Sequence, residues 1–475
     1  MRYVASVEEV RAAEAGLPEA VLIDRASTAV ARRAAAMLGR TYGARVLVVA
    51  GPGHNGADAL WAGWKLRQRG ASVSYALPLG EPRDEHGAEP LRRLKAAGAR
   101  QFWGSYDLAI DGVLGVGGRS ATWPAPWSGF MDSARVLAVD VPTGVDAATG
   151  AVSAAVRAEV TVTFGALKPG LVVGPGAAWA GIVEVAPIGL GLPDLMPSGE
   201  APQGGTWVLG ADDASAAMGP PWAETDKYRR GVVGVAAGSA AYPGAAALAC
   251  RGAQRSGCGY VRLRSDSAVA DSVRAAYPEV VAGEGRVDAW VVGPGLGTDD
   301  AALAVLREVL ASDVPVVVDA DGLTLLAKHP DLLRRNAPTV LTPHTGEFER
   351  LTGVPRADAE ADRLGVTRKA AADLGAVVLL KGTTTVVAAP DGTAYVNPTG
   401  TPWLGTAGTG DVLAGAIAAV LSRPQEDDVA YPVAAAVWLH GLAGRLAAGS
   451  PGAAVTALDV AERLPDAARI ALGAC

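Results

Sequence analysis

The densest concentration of chemistry-bearing residues in the chain is Gly405–Leu421, GTAGTGDVLAGAIAAVL. Glycine turns there run into an Ala-rich apolar helix pattern. A helix start leaves main-chain N–H groups unpaired at the positive end of its dipole, so the amides of Gly408, Thr409 and Gly410 can surround a phosphoryl group. Asp411 stands in the first turn, facing the same point. A carboxylate beside an anion hole can accept the proton of a substrate hydroxyl while that oxygen attacks phosphorus, the arrangement expected of phosphoryl transfer. Stabilising the helix dipole would explain a lone Asp, at about 0.3–1 kcal/mol, but needs no surrounding glycines. No G-x-x-x-x-G-K-[ST] occurs, which excludes a P-loop NTPase. Lys381 follows the apolar run VVLL and opens the turn Lys381, Gly382, Thr383, Thr384, Thr385, where an ammonium and turn amides can neutralise nucleotide phosphates. His344 in TPHTGE sits on a loop beside Gly346 and reads as a ligand contact. Asp319 and Asp321 in VVDADGL read as helix caps, with a magnesium–phosphate complex as the alternative.

A second set lies nearer the N-terminus. The run RVLVVA leads into Gly51-Pro52-Gly53-His54-Asn55-Gly56-Ala57-Asp58 and then a helix pattern. Glycines let backbone approach a ligand closely, and the helix start again favours phosphate. The string matches G-x-G-x-x-G, but the next strand, SVSYALPLG, ends without the acidic residue that would hold a dinucleotide's ribose. Asp111 in AIDGVLGVGGRS, and Asp140 with Thr143 in AVDVPTGVDAATG, also follow strand ends. In a parallel sheet these ends open on one crevice, so Asn55, Asp111, Asp140 and Thr143 can meet there. Their oxygen atoms suit a hard monovalent cation. Lys168 in GALKPGL is a weaker phosphate candidate for this crevice, and His54 reads as a surface or ligand-adjacent polar residue.

Elements of one kind must carry both sets. The apolar runs are short and β-branched, as buried parallel strands are, and alternate with Ala/Arg/Leu-rich helical segments, which predicts an α/β fold. The first half predicts strands at Arg45–Ala50, Ser72–Leu77, Leu108–Ile110, Val136–Val139 and Val160–Phe164, with helices after the Gly51 loop and over Glu89–Ala99. In the second half the expected strands are Val232–Ala236, Tyr260–Leu263, Ala289–Val292, Pro315–Val318, Thr339–Leu341, Val377–Leu380 and Thr385–Ala388. Pro187–Gly205 is rich in Pro and Gly and reads as a linker, giving domains 1–205 and 206–475. Among 475 residues, 50% are hydrophobic and 19% charged, the composition of a globular enzyme rather than a disordered or coiled-coil chain. The net charge of −7 offers no general field for nucleic acid or an anionic membrane. Three cysteines are too few for a disulfide framework or a CxxC…CxxC zinc site. With an N-terminus that reads as a helix and not a signal peptide, they predict a cytoplasmic chain. The uncharged stretch Gly231–Cys250 contains Gly234, Gly238, Pro243 and Gly244, and reads as strand, loop and helix, not as a membrane span.

GPGHNGAD, IDGVLGVGGR and AVDVPTGVD, followed by TFGALKPGL, resemble the NAD(P)H-hydrate epimerase domain, an N-terminal Rossmann-like three-layer fold. That resemblance implies a nucleotide held by His54, Asn55, Gly56, Ala57 and Asp58 and by Gly115, Val116, Gly117, Gly118, Arg119, Ser120 and Ala121. It further implies K+ bound by Asn55, Asp111 and Thr143, and Asp140 as the acid/base. The family loop usually reads Asn-Asn-Gly-Gly-Asp-Gly, and this chain has His54, Ala57 and Ala59 at its first, fourth and sixth positions. A Cβ at Ala57, where glycine would allow unusual φ or a closer backbone approach, is expected to lower nucleotide affinity or epimerase rate. GTAGTGDVLAG resembles the anion-hole segment of the ribokinase-like superfamily. Together with VVGPGLGTD, VVDADGL, LTPHTGEFERL and LLKGTTTVV it is similar to the ADP-dependent NAD(P)H-hydrate dehydratase. The resemblance implies that Ala245, Gly297 and His344 contact the hydrated nucleotide, that Lys381–Thr385 and Gly410 bind ADP, and that Asp411 acts on substrate. The implied co-reactants are ADP and Mg2+, and a homo-oligomer is the expected assembly. A ribokinase-like vitamin-precursor kinase with an accessory nucleotide-binding first domain, catalytic or not, is the competing reading.

Overall fold

A computed structural model describes residues 1–101, 105–115, 135–193, 203–218, 226–423 and 428–473. Its contacts divide the chain into two compact units, Tyr3–Leu195 and Met196–Cys475, the latter joined by Met1–Arg2.

The chain opens with the short strand β1 (Arg2–Tyr3) and a helix, Val7–Glu14, whose start is fixed by a reciprocal capping box between Ser6 and Glu9. The first unit is built on β2 (Arg45–Ala50), β3 (Ser72–Ala76), β4 (Leu108–Gly112), β5 (Val136–Val139), β6 (Val160–Phe164) and β7 (Ile182–Ala186). They form an all-parallel sheet in the order β3-β2-β4-β5-β6-β7. Buried Val, Leu and Ala run the length of β2, β4 and β5, because helices cover a parallel sheet on both faces. One face packs on the helices Glu19–Leu38 and His54–Gln68 through Val30, Leu60, Leu66 and Ile110. The chain leaves β2 toward β3 on one side and returns as β4 on the other. The carboxyl ends of β2 and β4 therefore flank a topological switch point, where a crevice must open.

The second unit contains β8 (Thr206–Val208), β9 (Val232–Ala236), β10 (Tyr260–Arg264), β11 (Val281–Ala282), β12 (Ala289–Val292), β13 (Val316–Val318), β14 (Thr339–Leu341), β15 (Val377–Leu380), β16 (Val386–Ala388) and β17 (Ala394–Val396). The sheet order is β1-β8-β17-β16-β15-β14-β13-β12-β9-β10-β11. Pairing is parallel from β11 to β15, antiparallel through β16 and β17, and parallel again at β8. The switch point falls between β9 and β12. A nearly all-apolar helix, Thr409–Leu421, is buried against this sheet and the helix Pro243–Arg255. Seven predicted runs reproduce the observed bounds residue for residue, β2, β5, β6, β9, β12, β14 and β15; the short strands β1, β7, β8, β11 and β17 carry no comparable apolar run. β7 is an edge strand whose Ile182 is 61% exposed, so burial never shaped its pattern.

Candidate functional site

The two units each hold a site. In the first, helix His54–Gln68 starts immediately after β2, with Gly53 as its N-cap. Gly56 is required sterically: a Cβ there would lie 1.9 Å from the Gly51 carbonyl oxygen. Ala57 is buried inside the helix, its amide donating to the Gly53 carbonyl at 3.1 Å, and Ala57 and Ala59 have ordinary helical backbone. The expected cost of a Cβ at Ala57 therefore has no basis in φ. Asp111, at the end of β4, is fully buried and accepts from the Thr143 amide at 2.8 Å, the Thr143 hydroxyl at 2.7 Å and the Val113 amide at 3.3 Å. Burial pushes its carboxyl up to about 6, against the pull of those donors. Asn55 stands over the same strand: a Cβ on Gly115 would be 3.1 Å from Asn55 Oδ1, and one on Gly112 would be 2.8 Å from its carbonyl oxygen.

Asp140 follows β5 with φ 64°, a left-handed backbone that Asp tolerates better than most residues and that aims its side chain across the strand end. Its Oδ1 accepts from Lys168 Nζ at 2.6 Å and Thr163 Oγ1 at 3.0 Å. Lys168 is 1% exposed and also donates to Thr163 Oγ1 and the Phe164 carbonyl, each at 2.8 Å. With its three protons so committed, Lys168 holds Asp140 in place, which corrects its assignment as a phosphate contact. A buried lysine requires a carboxylate, and the short spacing to β6 was the available signal. Asp58 is buried, and its carboxyl is pushed well up by burial and then by Asp140 and Glu14. The Asp58 Oδ1 and Asn55 Nδ2 atoms are buried with no partner among the described residues. Asn55, Asp58, Asp140, Gly115 and His54 line one cavity of about 1020 Å³, large enough for a nucleotide. His54 is exposed at the rim, 2.7 Å from Glu19. Val116, Gly117, Gly118, Arg119, Ser120 and Ala121 lie outside the described residues.

In the second site, Gly408 caps helix Thr409–Leu421 with φ 87°, and a Cβ there would also strike Leu248 Cδ1 at 2.4 Å. Thr409 is locked by its hydroxyl, which donates to the Leu404 and Thr406 carbonyls at 2.8 and 2.9 Å. Asp411 sits in the first turn. Its carboxyl is pushed up to about 7 by burial and then by Asp319, while Lys381 pulls it down. Lys381 Nζ lies 2.7 Å from Asp319 Oδ1 and 3.9 Å from Glu347 Oε2. A Cβ on Gly410 would be 3.2 Å from that ammonium, so the lysine faces the helix start closely. Burial lowers the Lys381 pKa, but its acidic neighbours, Asp319 first, raise it further.

The capping reading of Asp319 and Asp321 is overturned. Helix Asp321–Lys328 has Ala320 at its N-cap, with φ 49° and no side-chain cap. Asp319 is 1% exposed and takes Thr342 Oγ1 at 2.8 Å besides Lys381, while Asp321 accepts from the Gly297 amide at 2.9 Å. Gly297 has φ 89° and open space where a Cβ would stand, and Ala245 is adjacent to this loop through Gly295. His344 caps helix Thr345–Thr352 in a box with Glu347, its Nδ1 accepting from the Gly346 amide at 3.0 Å. Thr383 and Gly382 are exposed on the turn after β15, Thr384 is half-buried, and Thr385 Oγ1 donates to the Gly382 carbonyl at 3.0 Å.

Two further residues escaped the sequence reading. Arg363 is buried beneath the Lys381–Thr385 turn and donates to the carbonyls of Leu380, Lys381 and Thr384 at 3.1, 2.7 and 3.3 Å. His440 is buried, bonds the Thr409 main chain, and is pushed down to about 4 chiefly by burial. Both come from segments whose composition marks them only as helix, so no local signal names them.

Two family models match the chain: YjeF-related protein N-terminus over residues 19–170 and NAD(P)H-hydrate dehydratase over residues 233–466. A bifunctional NAD(P)H-hydrate repair enzyme of Mycobacterium tuberculosis (strain ATCC 25618 / H37Rv) is 46% identical over 446 residues, covering 89% of each chain. One of Mycobacterium leprae (strain TN) is 44% identical, covering 95% of each. Among solved structures, an ADP/ATP-dependent NAD(P)H-hydrate dehydratase from Bacillus subtilis co-crystallised with ATP/Mg2+ matches with TM-score 0.51 and 32% identity over 55% of this chain and 97% of that one. A ribokinase-like superfamily protein from Enterococcus faecalis V583 matches with TM-score 0.50 and 26% identity, over 56% of this chain and 96% of that one.

Proposed function

Because the chain belongs to the bifunctional NAD(P)H-hydrate repair enzymes, we propose that residues 1–205 interconvert the R and S epimers of hydrated NADH and NADPH and that residues 206–475 dehydrate the S form with ADP. The observation that carries the second assignment is Asp411, raised to about 7 at a glycine-opened helix start and faced by Lys381. Such a carboxylate takes up a proton readily near neutral pH.

The substrate carries a hydroxyl at C6 of its reduced ring. Hydroxide leaves poorly. Asp411 accepts the hydroxyl proton as the C6 oxygen attacks the terminal phosphorus of ADP, and AMP departs. The ring nitrogen's electron pair then expels phosphate from C6, and loss of a C5 proton restores the double bond of NAD(P)H. Lys381 and the amides of Gly408, Thr409 and Gly410 hold the transferring group, and the Lys381–Thr385 turn holds the nucleotide. Mg2+ enters with the nucleotide, as part of the co-substrate.

In the first site, Asn55, Asp111 and Thr143 fit K+. All three offer oxygen, and a buried carboxylate raised to about 6 gains from a neighbouring cation. The ion would supply local positive charge to the nucleotide's phosphates. Asp140, oriented by Lys168, moves the proton at the epimerising centre. Among the described residues no helix is long and apolar enough to cross a membrane, and we assign the enzyme to the cytoplasm as a homo-oligomer.

The deciding assay follows recovery of reduced-nicotinamide absorbance from each separated epimer with ADP, with ATP and with no nucleotide. The proposal expects nucleotide-dependent recovery from both epimers. Recovery from S no faster with nucleotide than without would overturn it.

A further inference from the structure

Epimerisation at C6 needs two proton carriers, and the first site as described above uses one. C6 carries both the hydroxyl and the ring nitrogen, so it inverts when the ring opens and closes. A base removes the hydroxyl proton, C6=O forms, and the C6–N1 electron pair passes to nitrogen, which takes a proton from an acid. Rotation about C5–C6 exposes the other carbonyl face. Nitrogen re-adds to C6, the oxygen recovers its proton from the base, and the nitrogen returns its own to the acid. Nothing is consumed, but base and acid must be different groups.

Asp140 suits the base. Its Oδ1 accepts from Lys168 Nζ, Thr163 Oγ1 and the Phe164 amide, which hold the carboxylate in a fixed orientation at the cavity wall. Glu14 meets the other requirement. It ends helix Val7–Glu14, half-buried, and lines the same cavity as Asp140 and Asp58 from a different element. The titratable groups facing it are Asp140, Asp58, Lys168, His54 and Arg11. Burial, then the charge of Asp140, pushes the Glu14 carboxyl up, while the three cations pull it down to a smaller extent. Asp58, with a buried Oδ1 lacking a partner among the described residues, marks this wall of the cavity as built for a ligand.

We propose that Glu14 is the general acid of the epimerase site, protonating the ring nitrogen while Asp140 takes the hydroxyl proton. This rests on the epimerase reading of the first unit.

The test uses the full-length chain with pure R epimer and ADP, and measures epimerisation against pH for wild type, Asp140→Asn, Glu14→Gln and Glu14→Asp. An acid of raised pKa and an ion-paired base give a bell-shaped profile, with the acid responsible for the loss at high pH. Glu14→Gln is expected to lose about a hundredfold and its alkaline limb, with Glu14→Asp keeping that limb. Glu14→Gln within about threefold of wild type, or with the limb intact, overturns the assignment while the Asp140→Asn loss preserves the epimerase reading. If Glu14→Gln unfolds the first unit, Glu14→Asp decides: an alkaline limb supports the acid role, and its absence overturns it. Wild type no faster than spontaneous epimerisation overturns both.

Discussion

Asp411 is held in a state that favours the protonated form, and that has opposite consequences for activity and for stability. As a base it must be ionised, so kcat/KM for the S epimer should rise with pH and reach half its plateau near pH 7, the value to which its carboxyl is pushed. The folded pKa lies above that of the unfolded chain, so the native state binds the extra proton: stability is fully present below about 4 and is lost as pH rises toward 7. Asp411→Asn escapes this penalty. We expect it to abolish recovery from both epimers yet melt a few degrees higher than wild type at pH 8, by calorimetry. Lys168 is the reverse case. Replacing it by Met leaves Asp140 largely buried without its cation, at a cost of about 3–5 kcal/mol, whereas Asp140→Asn with Lys168→Met removes both charges and should recover most of that loss in urea unfolding.

At the scale of elements, the sites depend on how helix starts and turns are pinned to strand ends. Gly408 combines a left-handed φ with contact against Leu248, so Gly408→Ala should distort the anion hole and raise KM for ADP, with R-epimer epimerisation unaffected. Arg363 acts from beneath: it gathers three carbonyls of the Lys381–Thr385 turn, so Arg363→Met should weaken ADP binding measured by calorimetric titration. The loss of a buried charge-assisted bond is about 1.5–3 kcal/mol, or roughly tenfold to hundredfold in Kd. Strand positions were legible in the sequence wherever burial on both faces enforced a continuous apolar run, as in β2, β9 and β15. They were illegible at β8, three residues long, and at the half-exposed edge strand β7.

For the whole molecule, two sites on separate units imply that the S epimer can be handed over through solvent. An equimolar mixture of Asp140→Asn and Asp411→Asn chains should therefore restore ADP-dependent recovery from the R epimer, although Asp411→Asn alone shows none and Asp140→Asn recovers R only at the spontaneous rate. Failure of the mixture, with each partner's remaining activity intact, would mean that the intermediate does not pass between chains.

The glycine loops, the acidic residues after them and the α/β rhythm were readable from the chain itself, because main-chain approach and strand burial constrain neighbouring residues in a local, periodic way. What lay beyond reach was long-range compensation of charge. The spacing of Lys168 to β6 points to that strand's end but not to Asp140, nothing near Asp319 distinguishes a cap from the partner of Lys381, and nothing in a helix-ending Glu14 places it beside a carboxylate 126 positions later. Buried charges must be balanced by whichever groups the completed fold brings within a few ångströms, and only the tertiary packing determines which those are.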